Sequence, residues 1–116
     1  MSSKRDAQPL PLSPTDFHVL LVLASEDLYG YAIQKAVADE SGGSVRPEIG
    51  SLYRVLGRLM SLGMVEETRA PDGAPESHRG RPRRYYMLTA RGREALEADA
   101  RRLEGALQIA RLRLGG

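Results

Sequence analysis

The sequence predicts a mainly α chain with a small β-wing and a long C-terminal helix, and three observations lead there. Pro47 to Leu59 reads as a helix start and three helical turns with basic residues on one side. About twenty residues later comes an arginine-dense segment, His78-Arg79-Gly80-Arg81-Pro82-Arg83-Arg84-Tyr85-Tyr86, joining two strand-like stretches. Finally, Leu96, Ala100, Leu103, Leu107, Ala110 and Leu114 repeat at steps of 4, 3, 4, 3 and 4. A short helix with a small polar and basic face, followed by two strands with a basic tip, is how a winged helix-turn-helix holds duplex DNA.

Residues 1–12 mix polar residues, charges and two prolines and read as a flexible arm. Ser13-Pro14-Thr15-Asp16 is a helix opening. Serine caps, proline stands where its missing N–H is harmless, and an acid follows three residues after the cap. The first helix then runs from Thr15 to about Ser25. It is apolar almost all round (Phe17, Val19 to Ala24), so it belongs at the centre. Glu26 to Gly30 reads as a turn. A second helix from about Gly30 to Ser41 turns Ile33, Ala36 and Val37 inward, and Ser41-Gly42-Gly43-Ser44 ends it.

The third helix, about Glu48 to Leu62, buries Leu52, Leu56 and Leu59 and stops at Gly63. Ser51, Arg54 and Arg58 fall at i, i+3 and i+7 on the other side, with Tyr53 at the border. Gly57 costs a mid-helix position roughly 1 kcal/mol relative to alanine. Near the polar side, its missing side chain either lets the helix approach DNA closely or is simply tolerated. Met64–Arg69 and Arg83–Leu88 read as two strands. Their link, Ala70–Pro82, holds three prolines and two glycines and reads as a mobile tip. Thr89 caps the fourth helix, which runs to about Leu114. The expected organisation is an arm over 1–12, a winged-helix domain over 13–89 and a dimerisation helix over 90–116.

Charge distribution favours the same segment. Residues 1–45 carry three basic residues against six acids, net −3, whereas residues 46–93 carry ten arginines against five acids, net +5. A positive field focused there attracts phosphate and speeds encounter. Fifteen of the seventeen basic residues are arginine, which suits bidentate contact with guanine edges and phosphates; a GC-rich genome would produce the same bias. The absence of cysteine rules out disulfides and thiolate metal sites. No apolar run approaches the length of a membrane span, and the N-terminus lacks a secretory core, so a cytoplasmic protein without membrane contact is expected. His18 and His78 are the only histidines, and neither stands at metal spacing with a second ligand. No enzyme, cofactor or metal is expected.

On the helix face, Ser51, Arg54 and Arg58 are short or forked donors suited to base edges, and Tyr53 can reach a phosphate. At the tip, Arg79-Gly80-Arg81-Pro82 spells the core of the minor-groove peptide known as the AT-hook, in which arginines fit a narrow, negative groove. Arg79, Arg81 and Arg83 are the candidate wing contacts. The six-residue seam on the fourth helix, Leu96, Ala100, Leu103, Leu107, Ala110 and Leu114, is too long for a small core to cover, and a second copy of the chain is the simplest partner. Folding back along the first helix is the alternative, and some of both is compatible with the pattern.

Several of these stretches together resemble the PadR family of bacterial transcriptional regulators, over about residues 13–95. Leu28-Tyr29-Gly30-Tyr31-Ala32-Ile33 resembles the family's turn and second helix, with Tyr29 where histidine is common. Gly50-Ser51-Leu52-Tyr53-Arg54-Val55-Leu56-Gly57-Arg58-Leu59 is similar to its most specific motif, with Ser51 where threonine is frequent. Gly63-Met64-Val65 matches the exit into the wing, and Arg84 to Gly92 resembles the second wing strand and the helix start after it. The resemblance implies a homodimer that represses transcription from a palindromic operator, often at its own promoter. One helix after the wing resembles the short subgroup, in which that helix makes most of the dimer. Some short members bind flat aromatic compounds between aromatic side chains at the interface. This chain has no aromatic residue after Tyr86, and the sequence leaves any small-molecule effector unidentified. Two other readings stay open: a small-molecule sensor whose dimer cleft is the main working site, and a winged-helix protein-docking module. The lopsided arginine stretch argues against the latter.

Overall fold

The structure, a computed structural model, describes residues 10–73, 77–78, 81–82 and 84–115. Among them the elements run α1 (Pro14–Ser25), β1 (Leu28–Tyr29), α2 (Gly30–Glu40), α3 (Ile49–Ser61), β2 (Val65–Thr68), β3 (Ser77–His78), β4 (Arg81–Pro82), β5 (Tyr85–Leu88) and α4 (Ala90–Leu114).

The local chemistry explains where each helix starts and stops. Ser13 caps α1, its side chain accepting from the Asp16 N–H at 3.0 Å, with Pro14 in the first turn. Helix α2 ends as its periodicity predicts: Gly42 adopts φ +64°, the Gly43 N–H reaches the Ala38 carbonyl at 2.8 Å, and that of Gly42 reaches Asp39 at 3.3 Å. The loop to α3 is pinned from both sides. The Ser41 hydroxyl bonds the Val45 backbone, and Gln34 Nε2 donates to the Pro47 carbonyl at 2.9 Å. Helix α3 closes in a Schellman turn: Met64 N–H to the Leu59 carbonyl and Gly63 N–H to that of Met60, both 3.0 Å, with Gly63 at φ +78°.

The core fills as the apolar periodicity requires. Val19, Leu20, Val22 and Leu23 of α1 pack with Ile33 and Val37 of α2, Leu52, Leu56 and Leu59 of α3, and Met64, Val65, Tyr86 and Leu88 of the wing. Helix α1 is central, touching α2, α4 and β5. The three-stranded sheet has the order β1-β5-β2, wholly antiparallel, with Val65 opposite Leu88 and Thr68 opposite Tyr85.

Four expectations need correction. Glu26–Gly30 is not only a turn, because Leu28 and Tyr29 pair with Tyr86 and Tyr85 and close the sheet against the second helix. The link between the wing strands is not structureless, since β3 and β4 form their own small ribbon, Ser77 opposite Pro82 and His78 opposite Arg81. Leu12, placed in the arm, is buried in the core; residues 1–9 lie outside the described residues. Leu96, placed in a dimer seam, packs into the protomer's own core together with Ala95.

Beyond Asp99, α4 leaves the domain. Its 25 residues span about 37 Å at the usual rise, and from Ala100 onward only Ala110 is partly covered. Where α4 begins, it is stitched to the end of α3. Thr89 caps it by accepting from the Gly92 N–H at 3.0 Å, its hydroxyl donates to the Gly63 carbonyl at 2.6 Å, and its own N–H reaches the Met64 carbonyl at 3.0 Å. Gly92 lies so close that a Cβ there would stand 2.2 Å from the Met64 carbonyl oxygen.

Candidate nucleic-acid interface

Helix α3 presents one face to the core and the opposite face to solvent. Leu52, Leu56 and Leu59 are wholly buried, while Tyr53, Arg54, Gly57 and Arg58 are exposed and Ser51 is half-buried. The 3.6-residue repeat of the sequence therefore places the expected donors on a common solvent-facing side. No Cβ at Gly50 or Gly57 would meet another atom within 4 Å, so that side is open along its length.

The donors are less free than the sequence suggests. Arg54 Nη2 donates to Ser51 Oγ at 3.0 Å, so the two act as a unit. Arg58 Nη2 donates to Asp16 Oδ1 at 2.5 Å in an ion pair; its side chain is 48% exposed against 9% for the aspartate. Arg58, a candidate for base or phosphate contact, is thereby tied to α1. Tyr53 leans back on α2: a Cβ at Gly30 would run into the Tyr53 hydroxyl, so a larger residue there would have to push that half-exposed ring aside.

The wing is partly in view. Arg81 lies in β4, opposite His78. Arg79 and Arg83 fall outside the described residues. Arg84 pairs with Glu67 at 3.6 Å across the β2–β5 ladder, both ends largely exposed, a contact that contributes little in water. Beneath the wing, Tyr29 and Tyr85 meet edge-on, ring centres 5.5 Å apart. Burial pushes the neighbouring Tyr86 hydroxyl above its ordinary pKa, with Tyr53 and Glu67 adding to the shift and Arg84 opposing it.

Of the expected dimer residues, Ala100, Leu103, Leu107 and Leu114 are exposed, Ala110 is partly covered and Leu96 is buried. Ile109 and Leu112, which the seam leaves out, are exposed as well. They fall outside the steps of 3 and 4 that reveal the seam. Sequence reasoning also missed Asp16 and Gly30. The capping serine made Asp16 look like a local helix-start residue, and its partner stands 42 positions away. Gly30 could have been suspected from a glycine beginning a helix beside two tyrosines.

Comparison with known proteins places this architecture. The family model described as the transcriptional regulator PadR-like family matches residues 19–98, which hold the second half of α1, both helices of the helix-turn-helix, the wing and the start of α4. The chain belongs to the PadR-like family. It is 37% identical over 100 residues to the transcriptional regulator Rv3488 of Mycobacterium tuberculosis, covering 85% of this chain and 81% of that protein. It is also 40% identical over 82 residues to an uncharacterized 37.1 kDa protein in transposon TN4556 of Streptomyces fradiae, a match over 71% of this chain but only 21% of that longer protein. Among solved structures, a PadR family transcription regulator from Clostridium difficile shares the fold with a TM-score of 0.69 and 24% identity over 90% of this chain and 100% of that one. The protein is thus a transcriptional regulator of the PadR family, a winged helix with a long terminal helix. Among the described residues no helix is long and apolar enough to cross a membrane.

Proposed function

We propose that this PadR-family regulator works as a homodimer that binds a palindromic operator sequence-specifically and represses transcription, its own promoter among the targets. The observation that carries the reading is the two-sided α3: a wholly buried leucine stripe below, and Ser51, Tyr53, Arg54 and Arg58 on the open side. In this reading α3 enters the major groove, with Arg54 and Arg58 at base edges or phosphates. Arg79, Arg81 and Arg83 reach the adjoining minor groove or its backbone. The exposed Ala100, Leu103, Leu107 and Leu114 and the partly covered Ala110 meet their counterparts on a second copy. The two α3 helices would then stand about 34–36 Å apart, one turn of DNA.

The test is binding of the full chain to the DNA upstream of its own coding sequence, against an unrelated duplex of equal length, across a salt series. Tighter, salt-sensitive retention on the upstream fragment supports the reading. Equal retention of the two duplexes at every salt concentration overturns it.

A further inference from the structure

A buried carboxylate beside a DNA-facing helix needs a reason. Asp16 brings negative charge toward a surface read above as meeting phosphate. Its side chain is only 9% exposed. Desolvating a carboxylate is costly, and replacing a buried ion pair with apolar residues is often neutral or stabilising, so fold stability alone is a weak reason for the pair. Nor is Asp16 required as a cap: Ser13 already accepts from the Asp16 N–H, while the carboxylate is directed at Arg58.

We infer that Asp16 is a positioning residue for DNA recognition, holding the Arg58 guanidinium at a fixed angle on the open face of α3; the inference rests on the DNA-binding reading above. The geometry suits that role. A single bond from Nη2 to Asp16 Oδ1 anchors one corner of a planar fork. The Nε and Nη1 donors have no partner among the described residues, on a side chain that is half exposed. An arginine on a free four-bond stem must lose rotamer entropy to meet a base or phosphate edge, and a fork already held in plane loses less. Gly57 beside it offers no side chain to block approach. Neutralised by Asp16, Arg58 adds little to long-range attraction and acts through direction. An acidic residue on a different helix thereby raises preference for the correct sequence while opposing binding to DNA in general.

The experiment compares wild type with Asp16→Asn and Arg58→Lys, and with both together. Two probes are used: a duplex that the wild-type protein selects from random-sequence DNA, and a scrambled duplex of equal composition. Asp16→Asn should weaken the selected duplex about tenfold, within what one oriented arginine contact contributes. It should leave the scrambled duplex unchanged or bound more tightly, because a negative charge is gone. Arg58→Lys keeps a cation against Asp16 but has no fork, so it should melt like wild type and lose the preference. Adding Asp16→Asn to it should then bring no further loss of preference. Tighter binding of both duplexes to Asp16→Asn would make Asp16 a charge term only, and equal weakening of both would make it a fold contact; either result overturns the inference. So does a lysine variant that keeps the preference. A wild-type protein that selects no sequence would instead remove the DNA-binding reading itself.

Discussion

Replacing Gly92 with alanine should unfold this domain at a markedly lower temperature, although alanine is the better helix former. The ideal Cβ would stand 2.2 Å from the Met64 carbonyl oxygen, 2.7 Å from Leu88 Cδ1 and 3.0 Å from the Met64 carbonyl carbon. An ordinary carbon–oxygen contact is about 3.3 Å or longer, so α4 and the α3–β2 turn must part by roughly 1 Å. The obstacle cannot swing aside, because that carbonyl is backbone and already accepts the Thr89 N–H. Overpacking of this kind costs about 1–3 kcal/mol, and backbone against backbone belongs at the upper end. Helix propensity returns up to about 1 kcal/mol. A net loss of about 2 kcal/mol should lower the melting midpoint by about 8–16 °C for a domain of this size. Thermal unfolding followed by circular dichroism at one fixed protein concentration reads it. Gly57→Ala is the internal control: nothing lies within 4 Å of its Cβ, so the midpoint should rise by a few degrees. A Gly92→Ala protein melting at or above wild type would refute the close-approach argument.

Four further outcomes follow from the same geometry. Gly57→Ala, though more stable, should bind operator DNA less tightly if α3 docks along its open face; unchanged affinity would place the DNA elsewhere. Leu107→Asp should leave the protomer folded, since Leu107 is 49% exposed and outside the core, yet should shift sedimentation to the monomer; a dimer that survives the charge would remove the seam. Substituting Arg79 and Arg81 with alanine should flatten the salt dependence of DNA binding by a slope of about 2, as two lost phosphate contacts require, and an unchanged slope counts against the wing. In the folded state Tyr86 holds its proton above the ordinary value of 10.0, chiefly through burial. Its contribution to stability is therefore whole below that value and lost as pH rises through the higher folded one. Alkaline unfolding should move to higher pH in Tyr86→Phe, and an unmoved transition would show that another group titrates.

Those outcomes separate what the chain spells locally from what only folding assembles. Caps, stops and periodicity depend on neighbours within a few residues, which is why Ser13, Gly42, Gly63 and Thr89 mark the helix ends in the sequence as they do in the structure. The leucine stripe of α3 was legible for the same reason. The two-residue β1 was not, because a strand that short has no period of its own and exists only by pairing with Tyr85 and Tyr86. Leu96 and Leu103 look identical in a heptad; only the position of α1 decides that one is core and the other open.

The candidate interface obeys the same division with a functional consequence. Sequence spacing can say that Ser51, Arg54 and Arg58 share a side of α3, but it treats each as an independent donor. Folding commits them unequally: Arg54 to its own helix, Arg58 to Asp16 across 42 residues. A surface of free arginines binds any polyanion, since attraction to phosphate depends on charge and hardly on angle. Preference for one sequence needs donors held at fixed angles, because a misdirected hydrogen bond weakens steeply. The carboxylate least expected at such a surface, buried and on another helix, is therefore the element that can convert attraction into discrimination.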